Sequence, residues 1–307
     1  MTRKARTRQT TRENTLGVDL LNRASLFALN MKSWGGAAKA DLSKIDTNAD
    51  KEWLRMRKTL LESEEFHRIK QHQAMTRQWC VNRSMPSFLR VGIYFVALTE
   101  VERYEQYLAA AVRELRTDLV PRFIEVYPGQ REAAKASLKK LFNIDDYPTT
   151  EDMGTRFDIE WNWIYFGLPD NLPSIVRERE AEKLKKAYAD AQVQIVAALR
   201  TGFAELVSHA VEKLKVEPGK KPPVFKETLV TNIAEFCETF SARNIMQDEE
   251  LSALVTRARD IVRDVKADDL RQYENEREKI AAAFADIKGT MDTMVVTPKG
   301  RKFHFDE

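Results

Sequence analysis

The longest regular pattern of apolar and polar positions lies between Ser174 and Val216. Apolar residues recur there at Leu184, Tyr188, Ala191, Ile195, Leu199, Phe203, Leu206, Ala210 and Leu214. Steps of three and four place them on one stripe of a helix. Leu172-Pro173 and Pro218-Gly219 bracket the run, which has no proline inside it. A helix of this length extends roughly 60 Å, and its stripe needs cover, because soluble chains seldom leave a long apolar strip in water. The expected cover is the chain's own segment from Phe225 to Ile287, folding back after the turn Glu217–Pro223. The alternative is the same helix of a second subunit, as in a coiled coil. Within the returning segment, Leu229, Ile233, Phe236 and Phe240 predict a helix that Asn244 ends. Asp248 is the expected cap of a further helix bearing Leu251, Leu254, Val255, Ile261, Val262 and Val265. A last helical segment, about Ala267 to Ile287, is charged on most sides, with Leu270, Tyr273, Ile280 and Phe284 apolar.

Strand-like alternation dominates before the long helix. Phe157, Ile159, Trp161, Trp163 and Tyr165 fall on one side of Arg156–Phe166, and Arg156, Asp158, Glu160 and Asn162 on the other. This predicts a half-buried strand with an aromatic face, and the two tryptophans are expected in the core. A base-stacking platform is the functional alternative. Leu89 to Leu98 predicts a second strand, with Leu89, Val91, Ile93, Phe95 and Ala97 on one face. Phe27, Leu29 and Met31 alternate with Ala28, Asn30 and Lys32, suggesting a third strand over Leu26–Lys32 before Gly35-Gly36 breaks the chain; a helix over Ala24–Lys32 competes. Asp or Asn near residues 46–50 is expected to cap a helix carrying Trp53, Leu54, Leu60, Leu61, Phe66, Ile69 and Met75 towards Trp79. Thr99-Glu-Val-Glu102 has capping-box spacing ahead of a helix through Tyr104, Leu108, Val112, Leu115 and Leu119. Pro121 either kinks that helix or starts a new turn. Tyr127-Pro128-Gly129 reads as a break, followed by a short helix over about Gln130–Phe142. Met294 to Phe305 reads as two short strands around Thr-Pro-Lys-Gly, or as a peptide that docks on a partner.

Composition agrees with long helices. The 307 residues are 43% hydrophobic and 32% charged, with only 11 Gly and 10 Pro to make turns. The expected fold class is α+β, mostly α-helical, with a small β-sheet and a long helical hairpin or bundle. The expected organisation is a basic arm at 1–15, an α+β domain at 16–172, a long-helix bundle at 173–290 and a C-terminal hairpin or tail at 291–307. Net charge is +3, so no global field marks a nucleic-acid binder. Two cysteines, Cys80 and Cys237, are too few for a disulfide scaffold and read as buried free thiols. No apolar run reaches the length of a membrane span, and no signal-peptide core opens the sequence. The expected setting is the cytoplasm, without a membrane.

Few residues suggest chemistry. His67 and His72 are five apart, the wrong spacing for a metal pair on one helix face. Asp46-Thr-Asn-Ala-Asp50 lacks the Gly and the final carboxylate of a calcium loop. Glu217–Pro223 lacks the pattern of a phosphate loop, and neither a Gly-x-Ser-x-Gly elbow nor a CxxC pair is present. No catalytic, cofactor or metal residue is therefore expected, and the reading is non-enzymatic. In the first fifteen residues, Arg3, Lys4, Arg6, Arg8 and Arg12 are basic with no core residue after Met1. They are the candidate nucleic-acid contacts, through phosphates.

Three stretches carry a family resemblance. Leu20–Trp34 (LLNRASLFALNMKSW), Pro86–Tyr94 (PSFLRVGIY) and Phe157–Trp161 with Phe166–Pro169 (FDIEW…FGLP) resemble a bacteriophage and prophage protein family of about this length. The resemblance covers about residues 16–215. That family is often encoded near a MoxR-type AAA+ ATPase and a von Willebrand A-domain protein and has no assigned activity. The resemblance implies a phage accessory factor in the cytoplasm of the infected cell, working as an adaptor of the ATPase module through protein partners. A nucleic-acid-binding accessory protein and a virion or assembly component are the alternatives, and a homo-oligomer is compatible with each.

Overall fold

The computed structural model describes residues 19–165, 171, 173–214, 228–263, 265 and 273–294. The basic arm with Arg3, Lys4, Arg6, Arg8 and Arg12, the turn Glu217–Pro223, the stretch Phe166–Pro169 and the two C-terminal strands expected after Met294 lie outside the described residues.

The described chain is mostly helical, with a four-stranded antiparallel sheet and a two-stranded one, so the fold class is α+β. In chain order the strands are β1 (Ala24–Lys32), β2 (Ala37–Lys39), β3 (Arg57–Thr59), β4 (Met85–Pro86), β5 (Ile93–Ala97) and β6 (Asp158–Ile164). The helices are α1 (Glu64–Val81), α2 (Val101–Glu114), α3 (Val120–Leu138), α4 (Thr150–Gly154), α5 (Ser174–Leu214), α6 (Thr228–Arg243), α7 (Glu249–Val262) and α8 (Glu274–Met294). The larger sheet has the order β4-β5-β1-β6, and β2 pairs antiparallel with β3. Contacts divide the chain into a helical unit, 1–27, 82–100 and 163–307, and a mixed unit, 28–81 and 101–162. The division falls within β1 and within β6.

The helical unit is built on α5. Tyr188, Ala191, Ile195, Leu199, Phe203, Val207, Ala210, Val211 and Leu214 are buried along it, close to the stripe read from the sequence. The chain's own helices cover that stripe. α6 doubles back after α5, so that Phe236 stacks on Phe203 at 5.3 Å. α7 packs on α6, and α8 lies along α5. Ile233, Phe236, Phe240, Leu251, Leu254, Val255, Phe284, Ile287 and Met291 complete one apolar cluster with the stripe. Of the last expected segment, 266–272 with Leu270 lie outside the described residues; α8 runs further than the pattern predicts, with Tyr273 exposed just before it and Ile287 and Met291 fully buried. Upstream in the same unit, β4 and β5 pair in the register Met85↔Phe95 and Pro86↔Tyr94. The expected strand over Leu89–Leu98 is thus shortened. Residues 87–92 form a turn, in which the Ile93 amide donates to the Arg90 carbonyl (3.1 Å) and Gly92 takes φ +93°.

The mixed unit departs further from its sequence pattern. The expected helix from Asp50 does not form as one piece. Asp50 caps a single 3-10 turn, Lys51–Trp53, and Trp53 is 86% exposed. The chain then turns into β3, because Arg57–Thr59 find hydrogen-bonding partners on β2 and the Lys58 ammonium meets Asp146 at 2.7 Å. Only α1 remains helical, opening where the Ser63 carbonyl accepts from the His67 amide at 3.1 Å. Helix α2 is entered through a 3-10 turn, Leu98–Glu100, which places Thr99 inside helical structure rather than ahead of it as a cap. A π turn, Leu115–Leu119, joins α2 to α3 and leaves Pro121 in the first turn of α3, where its missing N–H is tolerated. The expected break at Tyr127-Pro128-Gly129 is absent, since α3 runs through it. An interior proline costs about 3 kcal/mol. Tyr127 and Phe123, both fully buried, oppose that cost, and the Tyr127 hydroxyl donates to the Pro148 carbonyl at 2.8 Å. Phe66, Phe123, Tyr127, Phe157 and Trp34 form one ring cluster with centroids 5.5–6.3 Å apart.

Along β6 burial decays. Phe157 just before it and Ile159 are buried, Trp161 and Trp163 are half-buried, and Tyr165 just after it is 78% exposed. The tryptophans therefore do not sit fully in the core. The Trp161 indole donates to Glu105 at 2.7 Å, and Trp163 packs on Phe27 with centroids 5.0 Å apart.

Candidate functional site

A groove of about 470 Å³ opens in the helical unit at the corner between α6 and α7. Its apolar wall comes from Ala97, Leu98, Phe240 and Ile245, and its polar edge from Asn22, Ser241, Asn244, Asp248, Glu249 and Ser252. Leu98 is 44% exposed there.

Local hydrogen bonds set the shape of the corner. Asn244 leaves α6 with its amide still donating to the Phe240 carbonyl (2.8 Å). Its side-chain oxygen accepts from the Asp248 amide at 2.8 Å. This bond spans a tight turn in which Gln247 takes φ +55°, the left-handed region that non-glycine residues seldom enter. Asp248 then caps α7, accepting from the Leu251 amide at 3.1 Å.

A cation from the long helix locks the cap. The Arg200 guanidinium donates from Nε to Asp248 Oδ2 at 2.6 Å and from Nη2 to Asp248 Oδ1 at 3.0 Å, the bidentate geometry that a planar fork favours. Nη2 also reaches Glu250 at 3.2 Å, and Nη1 donates to the Met294 carbonyl, at the end of α8, at 3.4 Å. One side chain thus ties together three helices, α5, α7 and α8. Burial would raise the Asp248 carboxyl, but the bonds from Arg200 and from the Leu251 amide outweigh it and hold its pKa below the usual value. The same bond to Asp248, against burial, raises Arg200.

A second groove, of about 480 Å³, lies in the mixed unit between α1 and α2. His72 approaches the Ala111 carbonyl through Nε2 at 3.0 Å and Glu114 through Nδ1 at 3.7 Å. This engagement also accounts for one of the two histidines considered as metal ligands. Among the described residues no group of three His, Cys, Asp or Glu is placed to hold a metal ion, and no helix is long and apolar enough to cross a membrane. Cys80 and Cys237 are buried thiols outside any disulfide, and burial pushes the Cys237 thiol up to about 11, away from nucleophilic use at neutral pH.

The sequence pointed to Asp248 as a cap but not to Arg200, which appears there only as one cation beside an apolar stripe. The three stretches that carry the family resemblance fall on β1, on the β4–β5 hairpin and on the start of β6, with Phe166–Pro169 outside the described residues. Comparison with known proteins finds no match to a family model, to a curated protein or to a solved structure.

Proposed function

We propose that this chain is a non-enzymatic interaction protein that docks a protein partner in the corner groove of its helical unit. The observation that supports this reading is the preset corner: an apolar wall and a polar edge held by the Arg200–Asp248 fork and the Asn244 turn. A groove whose walls are fixed before binding loses little freedom when it is filled. Its lining of Leu98, Phe240, Ser241 and Ser252 offers apolar contact and hydrogen bonding together. On the family resemblance, the partner is the MoxR-type AAA+ ATPase or the von Willebrand A-domain protein, and the chain is a phage-encoded adaptor in the cytoplasm of the infected cell.

Co-expression of the chain with each of these proteins from a phage genome that encodes all three, followed by size-exclusion chromatography, tests the reading. A stable complex is expected, weakened at least tenfold by Leu98→Asp or Ser252→Arg in a chain that keeps its helical circular dichroism. No complex with either protein, or one indifferent to both substitutions, rejects it. The arm with Arg3, Lys4, Arg6, Arg8 and Arg12 carries a separate reading as a nucleic-acid contact. Binding to duplex DNA that weakens steeply with salt supports that reading, and its absence at low salt removes it.

A further inference from the structure

The corner groove has a nearby sequence whose chemistry complements it. α8 ends at Met294, and Arg200 holds the Met294 carbonyl with the same guanidinium that grips Asp248 on the groove edge. The residues that follow α8 therefore start one side chain away from the groove. They read Val295-Val-Thr-Pro-Lys299-Gly-Arg301-Lys302-Phe303-His-Phe305-Asp-Glu307. Three cations and two phenylalanines lie within seven positions. On the groove side, Glu249 and Glu250 are exposed at the start of α7, and Leu98, Phe240 and Ile245 supply the apolar wall. Thirteen residues reach at most about 45 Å, far more than the step from Met294 to Glu249 requires.

We propose that the groove is the docking site for the chain's own C-terminal sequence, Val295–Glu307. Lys299, Arg301 and Lys302 meet Glu249 and Glu250 at the rim, and Phe303 or Phe305 fills the wall beside Leu98. A partner then competes with this sequence for the groove, because a tethered peptide is present at high effective concentration. The inference rests on reading the groove as a docking site, but not on who the partner is.

A photocrosslinking side chain, p-benzoylphenylalanine, in place of Phe303 in the full-length chain tests it. After irradiation, mass spectrometry is expected to find adducts within one molecule on groove residues such as Leu98, Ser241 or Ser252. Lys299→Glu with Lys302→Glu, which alters no groove residue, should lower the yield about fivefold, in proportion to two exposed ion pairs. Glu249→Lys, which leaves the Arg200 contacts to Asp248 and Glu250 in place, should also lower it, and combining it with Lys299→Glu should restore it. Circular dichroism of each variant separates loss of docking from loss of folding. Adducts mapping elsewhere, adducts only between copies, no adducts, or a yield indifferent to the Lys299 and Lys302 reversals would each overturn the proposal. The complex with the ATPase or the von Willebrand A-domain protein is scored separately, so either result stands when the other fails.

Discussion

The two units solve the same burial problem by different means. In the helical unit, aliphatic residues and a few phenylalanines at helical spacing form one cluster, with the Arg200 fork to Asp248 bridging α5 and α7. In the mixed unit, rings from Trp34, Phe66, Phe123, Tyr127 and Phe157 fill the centre, and polar side chains reach inward to distant carbonyls. Gln73 donates to the Lys32 carbonyl at 2.8 Å, Lys58 to Leu141 at 2.5 Å and Tyr147 to Leu60 at 3.0 Å. Stripes at helical spacing are local and tolerate sliding. Rings and reaching polar groups fix a single arrangement, because an unmade buried hydrogen bond costs more than a made one gains. The helical unit should therefore respond to changes of polarity in its stripe, and the mixed unit to small changes of shape.

The largest expected effect is in the stripe. Leu199 is 2% exposed and Phe203 fully buried. Leu199→Glu places an unpaired carboxylate among α6, α7 and α8, and a loss of more than about 4 kcal/mol is expected. Circular dichroism and sedimentation should report an unfolded or aggregated chain. A folded monomer derived from a wild-type dimer would instead mean that a second copy, not α6–α8, covers the stripe.

Gly36 offers the matching test in the mixed unit. It takes φ +64°, and a β-carbon built there would lie 2.5 Å from a ring carbon of Phe66, inside the aromatic cluster. Gly36→Ala adds one methyl group, yet combines backbone strain with displacement of a packed ring, and should cost about 2–4 kcal/mol. Urea denaturation measures it. A loss below about 1 kcal/mol would show that the ring cluster yields easily, and the contrast between the units would weaken.

The same contrast explains what could be read from the sequence. α5, α6 and α7 were legible because each carries its own stripe, and α7 also carries its own cap, Asp248. The segment 51–63 was not. Nothing local marks Arg57–Thr59 as a strand; its partners on β2 lie about twenty residues upstream, and the contacts that hold Lys58 come from Leu141 and Asp146. The break expected at Pro128 failed for a related reason, since Tyr127 is anchored to Pro148 by a bond that no local pattern reveals. The corner groove was half legible: its cap was visible, while the cation from α5 and the carbonyl at the end of α8 meet it only through the fold.

A smaller effect is expected at the groove. Asp248→Asn keeps a capping side chain but removes the charge opposite Arg200, and about 1–2 kcal/mol should be lost at pH 7. The sign of its pH dependence follows from the lowered carboxyl. A group whose folded pKa lies below its unfolded value stabilises above the unfolded pKa, and the gain disappears as pH falls through the folded value. The difference between wild type and Asp248→Asn, measured as urea midpoints, should therefore shrink between pH 5 and pH 3. A constant difference would assign the effect to the cap geometry instead of to the ion pair.

The smallest effect tests where the β4–β5 hairpin turns. Alternation alone places Val91 on a buried strand face with Ile93, Phe95 and Ala97. The structure leaves Val91 99% exposed, between the Arg90 carbonyl that closes the turn and Gly92 at φ +93°. Phe95 is 1% exposed and packs against Phe88 and Tyr188, with ring centroids 5.8 and 6.2 Å away. Val91→Ser should then change stability by less than about 0.5 kcal/mol, whereas Phe95→Ala should cost about 3–5 kcal/mol. Both residues occupy the same face of the sequence pattern, so only the position of the turn separates them. If Val91→Ser costs more than about 1 kcal/mol, the strand extends through Val91 as the alternation predicts, and the turn lies earlier in the chain.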